Sequence, residues 1–436
     1  MVEPLTGGFI GCLLLLVIIA LRAPIAVALG LSGIIGLFLI FGASGPFIGI
    51  STTAYEEVYA GGLLAVPLFI FMGNLVVQFG IGIDIYSTTN KWLGRLPGGL
   101  AIASTGMCAL FGFMCGSALA GTATIGSLAI SEMDKSGYNR RLTLGTLSLA
   151  GTLAVLIPPS VLMILYSSMT NSSLGSLFLA GILPGLLLAS MIMAFILVRC
   201  TLNPSLGPKG DRFPFKEKLF SLIHLIPVIF LFVSIVGGIY AGIWSPVEAG
   251  ATACTIVIGI GLAYRRYSGQ KVIAAALSAA KTAAMIYMLL IGATILSLLF
   301  FTSGINDVIA DFLTGLPLPP WGIILIILIL MMVMGMFMDV LALLFIAVPI
   351  TLPIITALNY DPIWWGILMI ISSEMCLITP PVGINLFVIQ GIAGEGTSLK
   401  DVSMGAMPFV LILWLFFAIL IIFPEVVMWL PHRLPM

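Results

Sequence analysis

Charge is scarce in this chain. Only 8% of its 436 residues are Asp, Glu, Lys or Arg, against about 25% in a soluble domain. That excludes a soluble globular fold, and the high hydrophobicity excludes disorder. Seventeen basic residues balance 17 acidic ones. No basic field is therefore present to hold a phosphate backbone, and nucleic acid is excluded as a partner. Two histidines are too few for a multi-histidine metal centre or haem ligation, so no transition metal is expected. The six cysteines (Cys12, Cys108, Cys115, Cys200, Cys254, Cys376) show no CxxC spacing and most lie in apolar runs. They read as small core residues. There is no GxxxxGK[ST] run and no loop long enough for a nucleotide-binding domain, so ATP drive within this chain is not expected. No Ser/His/Asp, HExxH or paired-carboxylate arrangement stands out, and an enzyme has no supporting motif.

What the chain has is apolar length. Hydrophobic residues make up 61% of it, with a mean hydropathy of +1.24. A spanning helix needs about 20 apolar residues. The first series of runs is Leu5–Leu21, Pro24–Phe41, Gly61–Phe79, Leu142–Met169 and Ser176–Val198. The second is Leu222–Tyr240, Pro246–Tyr264, Thr282–Phe301, Pro362–Gln390 and Gly405–Phe423. The first run follows Glu3 and ends at Arg22 with no small-residue cleavage site, so it reads as a retained span. Two stretches, Gly98–Ile130 and Trp321–Thr356, are too long for one span and too short for two. Gly112, Gly116 and Gly121 interrupt the first; Gly335, Asp339 and Pro349 interrupt the second. Both read as re-entrant hairpins that leave on the side they entered.

The two series point to a duplication. Pro158-Pro159 recurs as Pro380-Pro381, Pro24 as Pro246, and Gly61 maps to Ala283, each 222 residues on. Ser117 in the first hairpin maps to Asp339 in the second by the same offset. Threading five crossings per repeat puts 16 of the 17 Lys and Arg on one side, with only Arg433 opposite. By the positive-inside rule that side is the cytoplasm and both termini are periplasmic. An odd number of crossings inverts the second repeat, an arrangement recurrent in secondary transporters. The expected fold is an all-α polytopic membrane protein of two inverted repeats, each with five crossings, a re-entrant helical hairpin and a Pro-Pro broken helix. Residues 1–97 form the scaffold helices of repeat 1, 98–175 its transport-domain hairpin and broken helix, and 176–200 its last helix. A cytoplasmic linker covers 201–218. Residues 219–320, 321–395 and 396–436 repeat the pattern, ending in a periplasmic C-terminus.

The chemistry is expected at the breaks and tips. Two adjacent prolines remove two backbone donors and strand carbonyls one turn back, and in hydrocarbon those carbonyls need partners. A sodium ion suits them, and hydroxyls at Thr152, Ser160, Ser373 and Thr379 add ligands. A kink satisfied by neighbouring helices is the competing reading for one Pro-Pro; recurrence at both positions favours ion binding. The first tip, Cys115 to Thr124, is small and hydroxyl-rich and includes Gly116, Ser117 and Thr122. Helix ends there offer N–H groups to anions and carbonyls to cations, although a Gly/Ala/Ser packing seam would look the same. Asp339 and Glu374 are carboxylates in apolar surroundings, open to cation ligation, proton carriage or simple solvation in a cavity. His224 reads as interfacial, and Glu248 as solvated or facing another subunit.

The chain resembles the large membrane subunit of tripartite ATP-independent periplasmic (TRAP) transporters over essentially its whole length. The resemblance is carried by Gly-Thr-Leu-x-x-Leu-Ile-Pro-Pro-Ser at 151–160 and Thr-Pro-Pro-Val-Gly-x-Asn-Leu-Phe at 379–387, with Arg22-x-Pro24 and the small-residue hairpin at 112–126. It implies an elevator-type, sodium-coupled importer of the ion transporter superfamily, in a bacterial cytoplasmic (inner) membrane. It also implies a small four-helix membrane subunit (Q), and a periplasmic binding protein (P) that delivers an anionic substrate, usually an organic acid. The family's sodium sites, where hairpins meet broken helices, carry onto Ser117, Gly151, Pro158, Thr379 and Pro380. With the residues read above, the expected sodium ligands become Ser117, Gly151, Thr152, Pro158, Asp339, Ser373, Thr379, Pro380 and Gly383, for at least two ions. Gly116, Thr122, Ser160 and Asn385 are the expected substrate contacts. A self-sufficient sodium/dicarboxylate or citrate symporter of similar build is the alternative, and membrane lipid is a partner in either case.

Overall fold

Apolar runs become helices because backbone groups in hydrocarbon must bond within their own segment. The computed structural model describes residues 2–42, 50–52, 55, 61–380, 383–394 and 396–434, and among these all regular structure is helical. Pro381 and Val382 of the second break lie outside the described residues.

The first helices are α1 (Pro4–Ala20), α2 (Ile25–Phe41), α3 (Ala65–Gln78) and α4 (Ile81–Leu93). The first hairpin is α5 (Gly99–Cys115) and α6 (Ala118–Lys135). Then come α7 (Arg140–Ala150), α8 (Leu153–Leu156), α9 (Val161–Thr170) and α10 (Leu174–Leu202). After α11 (Phe215–Ser221), α12 (Ile226–Phe232) runs on through a π-helical stretch to Tyr240. Next are α13 (Pro246–Ala263), α14 (Gly269–Ser303) and α15 (Ile305–Thr314). The second hairpin is α16 (Pro320–Gly335) and α17 (Val340–Ala357). The chain ends with α18 (Pro362–Cys376), α19 (Ile384–Ala393), α20 (Leu399–Ile422) and α21 (Glu425–Arg433).

Among the described residues α10, α13, α14, α17 and α20 are each long and apolar enough to cross a membrane, and three bent helix pairs pass the same test. Several boundaries differ from the sequence reading. The third run ends as expected, with Phe79 as the C-cap of α3, but Gly80 then turns left-handed (φ 65°) and a further helix, α4, leaves α3 at 68°. The eighth begins at Gly269 rather than Thr282, in a 35-residue helix. The linker region joins α10, which continues to Leu202, to α11, which starts at Phe215. It is anchored. Gly98 N–H donates to Gly207 O (3.0 Å), and Asn139 N–H to Leu206 O (2.9 Å). The Tyr138 hydroxyl donates to Pro208 O (3.0 Å) while accepting from Leu100 N–H (3.0 Å). Burial pushes that phenol up to about 12, so it stays a donor near neutrality. Of the glycines expected to interrupt the first hairpin, only Gly116 lies at the turn; Gly112 and Gly121 sit inside α5 and α6, and Pro349 sits inside α17. Glu248 is exposed, as expected for a solvated residue. It forms a capping box with Ser245 at the start of α13, where it satisfies the Ser245 N–H (2.7 Å).

Helix starts at 25 and 246, 99 and 320, 118 and 340, 140 and 362, and 161 and 384 lie close to the offset read from the sequence. Two packed groups result. In one, α14 lies against α1, α2 and α3, and α13 against α3. Small residues bring α2 and α14 together; a Cβ on Gly292 would stand 2.6 Å from the Ala26 carbonyl. In the other, the first hairpin and both broken helices pack with α10 or α20, and the second hairpin joins them through α9 and α18. There Gly145 of α7 lies directly on the Gly405 carbonyl of α20. The groups meet where α3 touches α5 and α9, and where α14 touches α17.

Candidate substrate and ion site

Both hairpin turns end on a side chain that caps the following helix. Gly116 ends α5 in the left-handed region (φ 59°) and its N–H donates to Gly112 O (3.1 Å). Ser117 then caps α6, its Oγ accepting from Ala120 N–H (3.4 Å). At the other tip Asp339 caps α17, its carboxylate accepting from Leu341 N–H (3.1 Å). A capping oxygen satisfies one of the free N–H groups that open a helix.

The first break has two parts. Past α7 the backbone N–H and Oγ1 of Thr152 both donate to Leu149 O (2.9 and 2.8 Å). After the short α8, Pro158 and Pro159 supply no N–H, and α9 leaves at 44°. The first hairpin clamps this break through glycines. A Cβ on Gly116 would stand 3.1 Å from Pro159 O, and one on Gly112 would stand 2.6 Å from Ala154 Cα. Gly151 lies directly on the Thr122 hydroxyl, and a Cβ there would be 3.0 Å from Ala118 O.

At the second break Ser373 Oγ donates to Met369 O (2.9 Å) and Thr379 Oγ1 to Met375 O (2.6 Å). Gly383 caps α19 with φ 55°. Asn385 N–H returns to Leu377 O (3.0 Å), and its Nδ2 crosses to Ser148 O of α7 (3.3 Å). The second break is thereby tied to the helix that carries the first.

A cavity of about 190 Å³ lies between these elements. Gly116 and Ser117 reach it from the first tip, Asp339 from the second, Val155 from the first break, and Glu374 and Leu377 from the second. Asn74 of α3 and Thr282 of α14 close it from the other helix group. A second space, of about 10 Å³, lies between Thr152 and Glu374.

Of the expected residues, the structure brings Gly116, Ser117 and Asp339 to one cavity and places Thr152 beside it. Gly151 and Thr122 pack on each other. Pro158, Ser160, Ser373, Thr379, Pro380, Gly383 and Asn385 do not line the central cavity. Thr122 Oγ1, Ser160 Oγ and Asn385 Oδ1 are buried without a hydrogen-bond partner. Asn74 and Thr282 were missed. Asn74 is the lone polar side chain in the run from Ala65 to Val77, a signal that went unused.

An all-helical membrane protein whose hairpins and broken helices enclose one cavity has the architecture of a secondary transporter. The crystal structure of the Alcanivorax borkumensis YdaH transporter has this fold, with a TM-score of 0.63, 15% identity and 88% of each chain covered. Residues 12–426 match the family described as "Tripartite ATP-independent periplasmic transporter, DctM component". The C4-dicarboxylate TRAP transporter large permease protein DctM of Pseudomonas aeruginosa is 36% identical over 412 residues, covering 94% of this chain and 95% of that one. The isethionate TRAP transporter permease protein DctMQ of Oleidesulfovibrio alaskensis is 32% identical, covering 89% of this chain and 60% of that one. The chain belongs to the DctM family of TRAP transporter large permeases.

Proposed function

We propose that this permease is a sodium-coupled importer of organic acids, working as an elevator in the bacterial inner membrane with both termini periplasmic. One observation carries the reading: both hairpin tips and both breaks meet at a single cavity that two helices of the other packed group complete. The substrate occupies that cavity, with its carboxylate or sulfonate near the N-terminal end of α6, where free N–H groups favour negative charge. Sodium ions sit where the tips meet the breaks, at Ser117, Gly151, Thr152 and Pro158 on one side. On the other side the ligands are Asp339, Ser373, Thr379, Pro380 and Gly383. The two halves are inverted repeats, in keeping with the matched helix starts. A periplasmic binding protein delivers substrate and a small membrane subunit sits alongside. The DctMQ relative supports the latter, since its name joins M and Q and it extends well beyond the region matched here. The relatives' names span a C4-dicarboxylate and isethionate at similar identity, so the acid itself must be found by experiment. The test is uptake into proteoliposomes holding the permease and its small subunit, with binding protein outside and a panel of dicarboxylic, keto, sialic and sulfonic acids. Uptake should follow an inward sodium gradient; equal uptake on a proton gradient in sodium-free buffer would sink the coupling.

A further inference from the structure

Glu374 belongs to neither hairpin tip, yet its side chain faces both the central cavity and the small space at the first break. It is 5% exposed, and Oε2 has no hydrogen-bond partner. A buried carboxylate at membrane depth must be paired or neutralised. Among the described residues no Lys, Arg or His lines either space, and Asp339 adds a second carboxylate to the central cavity. The balancing charge therefore has to come from a bound proton or from a cation outside the chain.

The small space limits what can supply it. At about 10 Å³ it has the room that one water or one bare ion fills, too little for an organic cation. Its other polar side chain is Thr152, whose hydroxyl proton is committed to Leu149 O. The lone pairs of that oxygen remain for a cation. One carboxylate facing one ion balances a single charge, which favours a monovalent ion over a divalent one.

We propose that Glu374 is itself a cation ligand, holding one bare monovalent ion against Thr152. The proposal rests on the sodium-coupled reading above and adds a residue to it. Thr152 lies in the first broken helix and Glu374 in the second, so this ion is held by both halves of the chain. Losing it leaves a bare carboxylate between apolar walls, and the two breaks are therefore coupled through its occupancy.

The experiment is thermal stability of the purified full-length permease, titrated with sodium chloride against choline chloride, for wild type, Glu374→Gln and Glu374→Asp. Glutamine keeps the shape without the charge; aspartate keeps the charge and withdraws it by one methylene. For Glu374→Gln the Hill slope of the sodium response should fall by about one ion. For Glu374→Asp the slope should hold while the midpoint rises by at least about tenfold, the size expected when a ligand shell is disturbed. A wild-type midpoint and slope in either folded variant overturns the role of Glu374 and leaves sodium coupling standing. No sodium response in the wild type removes both.

Discussion

Gly73 of α3 lies directly against the carbonyl of Cys115, the last residue of the first hairpin helix; a Cβ on the glycine would stand 2.7 Å from that oxygen and 3.2 Å from Cys115 Cα. The obstacle is backbone, so it cannot rotate away as a side chain could. Here one packed group touches the tip of the other, one residue from the cavity-lining Asn74.

Replacing Gly73 with alanine should therefore drive the hairpin tip off α3 while leaving α3 itself intact, since alanine favours a helix over glycine. Overpacking of this kind costs about 1–3 kcal/mol, which shifts a two-state population about 5- to 150-fold. Cys115 reports the change, being 6% exposed here. Its alkylation by a small maleimide, read by peptide mass spectrometry, should accelerate in Gly73→Ala, and uptake should fall. Unchanged labelling would mean that the contact does not hold this arrangement.

The residues reveal this site unevenly, for physical reasons. The 222-residue offset pairs Ser117 with Asp339 although the two side chains differ. The structure makes both of them caps of the second hairpin helix. An offset can be read without knowing any contact, and the break at Pro158-Pro159 can be read because proline has no N–H. What stays hidden depends on packing between distant segments. Asn74 looks like one polar residue in an apolar run until α3 is placed against α5. The arm α4 escapes a search by hydropathy because Asp84, Thr88, Thr89, Asn90 and Lys91 interrupt its apolar face. Its bend at Gly80 comes from one left-handed glycine, which hydropathy does not register.

Arg266 is one of the side chains that fasten that arm, beside Thr88 on Ser221 O and Trp92 on Lys218 O. The Arg266 guanidinium grips the Asp84 carboxylate with both nitrogens (2.6 and 3.0 Å) and donates to Gly80 O at the bend (3.1 Å). The bond to Asp84 raises the Arg266 pKa above its already high ordinary value, so the clamp holds throughout the physiological pH range. Lysine cannot reproduce the two-pronged grip. The pair is partly exposed, at 34% and 15%, so the cost of breaking it falls between that of surface and buried pairs, about 1–3 kcal/mol. Arg266→Lys and Arg266→Ala should both raise amide hydrogen exchange across residues 81–93, alanine more than lysine, with little change in α3. Equal protection in all three proteins would show that α4 is held by its packing on α5 instead.

Transport should be electrogenic for a monoanion. The two breaks each offer oxygen ligands, with Thr152 at one and Ser373 and Thr379 at the other, so at least two sodium ions should enter with each substrate. A monocarboxylate carries one negative charge, and each cycle then moves at least one net positive charge inward. One charge crossing 100 mV is worth about 2.3 kcal/mol, enough for a roughly fifty-fold gain in accumulation. An inside-negative potassium–valinomycin potential should therefore accelerate uptake of a monoanion and deepen its steady state. A dianion entering with only two sodium ions is neutral, so the comparison needs substrates of known charge. If the potential leaves monoanion uptake unchanged across a range of sodium gradients, two-ion coupling is wrong. One of the breaks must then be a structural kink, and the one to reassign is whichever tolerates loss of its hydroxyls, Thr152→Ala or Ser373→Ala with Thr379→Ala, without a change in sodium dependence.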